Sequence, residues 1–504
     1  MADDVRSDEI LKMAGLVGEN LGLHFPEDRL QDLFHRLGPA APEMGFTGAA
    51  PLVRALISRP WSRGEMEALA GHLTVGETYF FRDDALFQAL REEILPSLVR
   101  ARAAEGRPPR IWCAGCASGE EPYSLAILLH TFLPPELRRG PSILATDINP
   151  AALRKAEVAV YGEWSLRGTP EDVRRTFFRQ VAKGRYELLR TIRERVTFQP
   201  LNLARDAYPS LANGTNAMDL ILCRNVLMYF GPALAGEVVG GLSRALVEGG
   251  WLAVSPCEVS QVDHQDLARA HAGEAILHQK RTGAARQGAP SARPPAWEPL
   301  AAVAPSLPPL NHEPPEKPPV PRPAPAPPPS LEAIESLYRD GQYREAAHAL
   351  SLGARGAGLL ARELLLGARC YANLGELGEA RSWCERAIRA DKLAPGAHYL
   401  LATILMEQGR EHEAADALRR AMYIEPGFVL AHWTMGYLAH RRGEASEALR
   451  HRRNARALLT GLRTSEMLPE SDGLTAGRLL ELMDLADPVV AGSRAVSAAP
   501  GGGG

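Results

Sequence analysis

The sequence predicts an α/β protein with a doubly wound, mostly parallel sheet, preceded by a small helical domain and followed by an all-α repeat solenoid. Three observations carry this. Residues 110–124 read as a buried strand, a turn of small residues and the start of an apolar helix. Short apolar runs then alternate with helical segments to about residue 282, the alternation that builds a parallel sheet. Beyond residue 330, Gly341, Gly375, Gly409 and Gly443 recur every 34 residues, a period of stacked helix pairs.

Composition narrows the function. A chain of 504 residues suffices for two or three domains. Its formal net charge of −3 gives no basic footprint for nucleic acid. No apolar run reaches the roughly eighteen residues of a membrane span, and the acidic start (Asp3, Asp4, Asp8, Glu9) is no signal peptide. A cytoplasmic protein without direct membrane insertion is expected. Six cysteines over this length make no disulfide framework. Cys113-x-x-Cys116 lacks a second Cys/His pair at zinc-ligand spacing, so no metal site is expected.

From the N-terminus, residues 7–21, 26–37, 49–58 and 62–73 show helical apolar spacing with Pro, Gly and Asn punctuation. They form a helical domain over 1–83. At its end Tyr79, Phe80 and Phe81 precede Arg82. If the aromatics pack, Arg82 is held beside a ligand cleft with its planar fork aimed at a carboxylate; otherwise it is an ion-pair partner over an interdomain hinge. A helix from about Asp84 to Ala104 follows.

In Arg110-Ile-Trp-Cys-Ala-Gly-Cys-Ala-Ser-Gly-Glu-Glu-Pro-Tyr-Ser124, Gly115, Ala117, Ser118 and Gly119 let a backbone approach a bound molecule, and Glu120 and Glu121 open a helix. Gly115 and Gly119 are separated by three residues, so the dinucleotide pattern G-x-G-x-x-G is absent, as is a phosphate loop. Two acidic residues at a helix start also repel a pyrophosphate. A ligand with a cationic centre and free ribose hydroxyls fits better, which points to S-adenosylmethionine; the alternative is a generic sheet crossover.

A second strand, Ser142 to Ile148, ends in Asp147, the position of a ribose-hydroxyl acceptor in doubly wound sheets. Asp147 lies 32 residues beyond Gly115, which implies a long intervening helix or loop. The alternative is that it only caps the helix starting near Asn149-Pro150. Residues 161–194 are polar and arginine-rich and read as a small inserted β subdomain. The sheet resumes at 195–199, 201–203 and 218–230. The last of these enters as a strand and leaves as a helix, so Arg224, Asn225 and Tyr229 emerge at the carboxyl edge where ligands bind. Gly249–Ser255 and Glu274–Gln279 complete an α/β domain over 84–282.

Seventeen prolines fall between Pro290 and Pro329; residues 283–330 are a Pro/Ala-rich linker of extended geometry, predicting two bodies with few contacts between them. Repeats occupy 331–460, with small residues where helices cross, and 461–504 holds a capping helix at 474–485 and a disordered tail. Arg441, Arg442, Arg450, Arg452 and Arg453 make the last repeat basic, as a solvated face or as a seat for an acidic partner.

Thr78-x-Phe80-Phe81-Arg82, Gly119-Glu-Glu-Pro-Tyr-Ser124, Ala145-Thr-Asp147, Asn202-Leu203 and Cys223-Arg-Asn-Val-x-x-Tyr-Phe230 together resemble the CheR-type methyltransferases over about residues 5–282, followed by tetratricopeptide-like repeats. The resemblance implies an S-adenosylmethionine-dependent methyltransferase fold. It implies that Thr78, Arg82, Glu120, Asp147, Asn202, Leu203, Arg224 and Asn225 surround the cofactor, with Glu121 the alternative to Glu120, and that Arg82, Arg224 and Tyr229 serve the reaction. Gly76 departs from the asparagine often found in relatives. The implied activity is esterification of glutamate γ-carboxylates in the cytoplasmic helices of chemotaxis receptors, with the repeats binding an unidentified protein or regulating access. The rival is a signalling scaffold that binds cofactor without turnover.

Overall fold

The computed structural model describes residues 6–105, 107–137, 143–281, 330–353 and 359–486. The proline-rich linker up to residue 329 and the tail beyond 486 lie outside the described residues.

Among the described residues ten strands form two sheets: β1 (Ile111–Ala114), β2 (Ile143–Asp147), β3 (Val160–Gly162), β4 (Phe178–Ala182), β5 (Arg185–Leu188), β6 (Val196–Pro200), β7 (Met218–Leu222), β8 (Leu246–Ala253), β9 (Leu267–Ala272) and β10 (Ala275–Lys280). The large sheet has the order β6-β2-β1-β7-β8-β10-β9. Its first five strands run parallel, and β10 is antiparallel to both β8 and β9. Strand order reverses at β1, where Ile111 pairs with Ile143 on one side and Leu220 on the other. That reversal opens a crevice beyond the carboxyl ends of β1, β2 and β7. β1 is buried throughout, and the one polar atom Trp112 carries, its Nε1–H, donates to Thr146 Oγ1 at 2.9 Å, so the central strand buries no unmet donor there.

The insert forms the small antiparallel sheet β3-β5-β4. Two details differ from the sequence reading. Residues 201–203 form a turn, not a strand, and β9 had no counterpart. Its sequence, Leu-Ala-Arg-Ala-His-Ala, alternates only alanine with polar residues, too weak a period-2 signal to stand out.

Four N-terminal helices, Ser7–Leu21, Leu30–Glu43, Ala49–Leu56 and Arg63–Leu73, enclose Met13, Val17, Leu33, Leu37, Leu52, Leu56 and Leu69, each burial contributing about 1.5–3 kcal/mol. The second runs through Pro39 and Pro42, past its expected end at residue 37.

The repeats are four helix pairs, Leu331–Arg339 with Tyr343–Gly353, Ala361–Asn373 with Leu377–Ala390, Pro395–Glu407 with Glu411–Ile424, and Val429–Arg441 with Ala445–Thr460, followed by Ala476–Ala486. Gly341, Gly375, Gly409 and Gly443 all take φ between 73° and 78°, the left-handed conformation that turns one helix into the next. Among the described residues, no helix is long and apolar enough to cross a membrane.

The repeats are not held apart from the sheet domain. Leu211 packs into the repeat core, Gly375 lies against Ala217 and Val247, Arg344 pairs with Glu248 at 3.2 Å and Arg110 with Glu407 at 3.5 Å. Arg478 grips Asp206 through two hydrogen bonds. The linker's composition describes the tether alone; the apolar and charged matches lie at Arg110 and at positions 206–248, outside it in sequence.

Candidate cofactor cleft

A cleft opens where the strand order reverses, the place where open α/β sheets bind their ligands. Its floor is the turn after β1, Gly115 and Ala117, with φ of 84° and 47°. Gly115 admits no side chain: a Cβ would come within 2.3 Å of Val226 Cγ2. One wall is Asp147, Ile148 and Asn149 after β2; another is Leu201, Asn202 and Leu203 after β6; a third is Asn225, Val226, Tyr229 and Phe230 after β7. Leu21, Leu23 and Thr74–Gly76 of the helical domain close it.

Among the described residues, Asp147 is the one charged residue of this lining, and no Lys or Arg joins it. Its Oδ2 accepts from Ala117 N and its Oδ1 from Asn149 N, both at 2.8 Å. Burial raises its pKa against these backbone hydrogen bonds. The helix start after β2 is capped by Asn149, whose Oδ1 accepts from Ala151 and Ala152 N, so Asp147 is free of that duty. Asn202 Oδ1 accepts from Ala204 N and its Nδ2 donates to Asn20 O, leaving the amide one further N–H for a ligand.

Asp147, Asn202, Leu203, Asn225 and Tyr229 therefore come together at the cleft. Thr78, Arg82, Glu120 and Arg224 are not in its lining. Glu120 is buried and accepts from Ser118 Oγ at 2.7 Å, and burial raises its pKa. Arg224 is also buried, its Nη1 donating to Glu121 and its Nη2 to Asp83, each at 2.9 Å. Those ion pairs occupy the guanidinium that the resemblance assigns to the reaction. Arg82 donates from Nη1 to Glu77 O at 2.9 Å and keeps donors in reserve. The Cys113 and Cys116 thiols are buried and pushed well above their ordinary pKa by that burial, which leaves them protonated and unreactive.

Several residues escaped the sequence reading. Leu21 and Leu23 arrive from a separate domain, and no local signal marks them. Glu258 is different. Fully buried, it accepts from the backbone N–H of Asn225, Val226, Met228 and Ser255 and so shapes the third wall, and Ser255-x-x-Glu258 is a legible capping box.

A parallel sheet with this crevice, a single carboxylate, amide groups and apolar walls suits a ribose-bearing cofactor with a cationic centre. Fold and site define the S-adenosylmethionine-dependent methyltransferases. Residues 76–274 match the CheR methyltransferase, SAM binding domain, and 364–392 and 395–428 match tetratricopeptide repeats. The chain is 30% identical over 398 residues to the probable biofilm formation methyltransferase WspC of Pseudomonas aeruginosa, covering 78% of this chain and 86% of that one. It is 33% identical over 243 residues to a chemotaxis protein methyltransferase of Vibrio parahaemolyticus, covering 47% and 85%. The repeats are similar to a crystal structure of MamA, with 20% identity, a TM-score of 0.25, and 26% and 77% covered. The chain belongs to the CheR methyltransferase family, and tetratricopeptide repeats follow its catalytic domain.

Proposed function

We propose that this protein transfers a methyl group from S-adenosylmethionine to glutamate γ-carboxylates of chemotaxis-type receptors in the cytoplasm, and that residues 1–83, 84–282 and 331–460 are its helical, catalytic and repeat domains. The observation that carries the reading is the cleft's charge pattern: among the described residues, Asp147 alone, with no basic residue lining it. A pyrophosphate would meet a carboxylate there, whereas two ribose hydroxyls would meet an acceptor already oriented by Ala117 and Asn149. S-adenosylmethionine, when bound, supplies an electrophilic methyl group.

The residues then have separate tasks. Asp147 accepts the ribose hydroxyls, Asn202 and Asn225 hold polar edges of the cofactor, and Leu203, Tyr229 and Phe230 exclude water. Glu120 supports the loop after β1 from beneath. Arg224 fixes Glu121 and Asp83, and thereby the segment carrying Thr78 and Arg82. Arg82 orients the incoming carboxylate. A glutamate with a reference pKa near 4.3 is ionised at neutral pH, so no general base is required; what matters is in-line approach and exclusion of water. Incubation with methyl-labelled S-adenosylmethionine and receptor cytoplasmic fragments tests this. Label released by mild alkali as methanol is the expected result; alkali-stable label or none would favour another acceptor or a scaffold.

A further inference from the structure

The turn 201–206 has the cleft on one side and the repeats on the other. On the cleft side stands Asn202. On the other, Arg478 of the terminal helix Ala476–Ala486 donates from Nε to Asp206 Oδ1 at 2.5 Å and from Nη2 to Oδ2 at 2.7 Å. The same Oδ2 accepts the backbone N–H of Asn202 at 2.7 Å, and Asp206 N donates back to Asn202 O at 2.8 Å. The Asp206 side chain is only 8% exposed, so water does not readily replace a lost partner. Arg478 is itself fixed: its Nη1 donates to Glu481 Oε2 at 2.6 Å and its N–H to Thr475 Oγ1 at 3.2 Å. A cation from the repeat domain thus holds, through one shared carboxylate oxygen, the backbone of a residue in the cleft wall.

We infer that Arg478 is a positioning residue for the cofactor, so that the seating of the repeat domain on residues 206–216 sets the affinity for S-adenosylmethionine. The inference rests on the proposed placing of the cofactor against Asn202. A buried carboxylate deprived of its bidentate partner repositions or takes up a proton, and either change shifts the Asn202 N–H it accepts. Asn202 has little slack, because its side-chain amide is also tied to Ala204 and Asn20. Coupling between the terminal helix and the cleft is reciprocal: cofactor must stabilise the Arg478 contact as much as the contact favours cofactor. A ligand of the repeats that displaces the terminal helix would weaken cofactor binding without touching the cleft.

The test uses the full chain. Arg478→Ala should raise Kd and KM for S-adenosylmethionine about three- to tenfold while kcat changes less than twofold, and Arg478→Lys, which keeps charge but not the fork, should recover part of the loss. Unchanged KM and Kd in a folded Arg478→Ala protein would overturn the relay, since a merely structural contact moves stability alone. If that variant does not fold, the wild type decides: saturating S-adenosylmethionine should slow amide hydrogen exchange in 476–486 at least threefold relative to 331–339, and equal exchange would overturn the proposal. Asn202→Ala separates the two readings. Weaker binding in Asn202→Ala with none in Arg478→Ala removes only the relay, whereas no effect of Asn202→Ala removes the cofactor placement beneath it.

Discussion

The Glu258 carboxylate accepts the backbone N–H of Asn225 at 2.8 Å from a position with no solvent exposure. Asn225 takes φ of 57°, a conformation disfavoured for most non-glycine residues and held here by its surroundings. Val226 and Met228 donate to the same carboxylate at 2.7 and 3.2 Å, so one side chain fixes the cleft's third wall. Glu258→Gln replaces an acceptor by a donor facing N–H groups. We expect a loss of about 2–4 kcal/mol of stability, from hydrogen bonds to charged groups of about 1.5–3 kcal/mol each, together with weaker cofactor binding. Urea unfolding and calorimetry on the same variant check both.

Arg224 sits between Asp83 and Glu121 with its side chain 4% exposed. Arg224→Met should cost about 3–5 kcal/mol, the range for breaking a buried pair. The loss should depend on pH. Burial raises the Glu121 pKa and Arg224 opposes that rise, so the variant lets it climb further. A carboxyl whose folded pKa is raised keeps its stability below its unfolded value and loses it as pH rises through the folded value. Arg224→Met should therefore be closer to wild type at pH 5 than at pH 8 in thermal melts.

In the last repeat, His432 Nδ1 and His451 Nδ1 are 3.0 Å apart, with Pro426 O, Glu447, Arg450 and Arg419 around them. Burial lowers both pKa values, as it does for His398. Their contribution is fully present above the unfolded value, about 6.5, and is lost as pH falls below it toward the folded values. Acid unfolding followed between pH 7 and 5 should show the repeats losing stability in that window, and His451→Gln should flatten the slope.

Removing residues 331–504 should leave a fragment that unfolds more readily than the catalytic domain does in the whole chain. Leu211, Ala217 and Val247 would lose their apolar cover and Asp206 its partner. Differential scanning calorimetry of residues 1–330 beside the full chain measures this. Equal melting of the sheet domain in both would show that the interface contributes nothing.

Legibility in the sequence followed locality. The strand-turn-helix at 110–124 was readable because Gly115 and its neighbours announce a close approach, and the repeat turns because glycine at φ near 75° has few substitutes. Asp147 stood out as an acidic strand end. The Leu201–Leu203 turn was misread as a strand: its apolar alternation mimics one, while the Asp206 hydrogen bond that closes it lies outside any strand template. Leu21 and Leu23 in the cleft, and Arg478 behind it, are meetings between segments up to hundreds of residues apart, for which a single sequence carries no periodic signal.

The most direct test of the account is a calorimetric titration of S-adenosylmethionine into the wild-type protein and Asp147→Ala, with folding checked by circular dichroism. Loss of two charge-assisted hydrogen bonds of about 1.5–3 kcal/mol each predicts at least a tenfold weaker Kd. An unchanged Kd in a folded Asp147→Ala protein would contradict the assignment of this cleft.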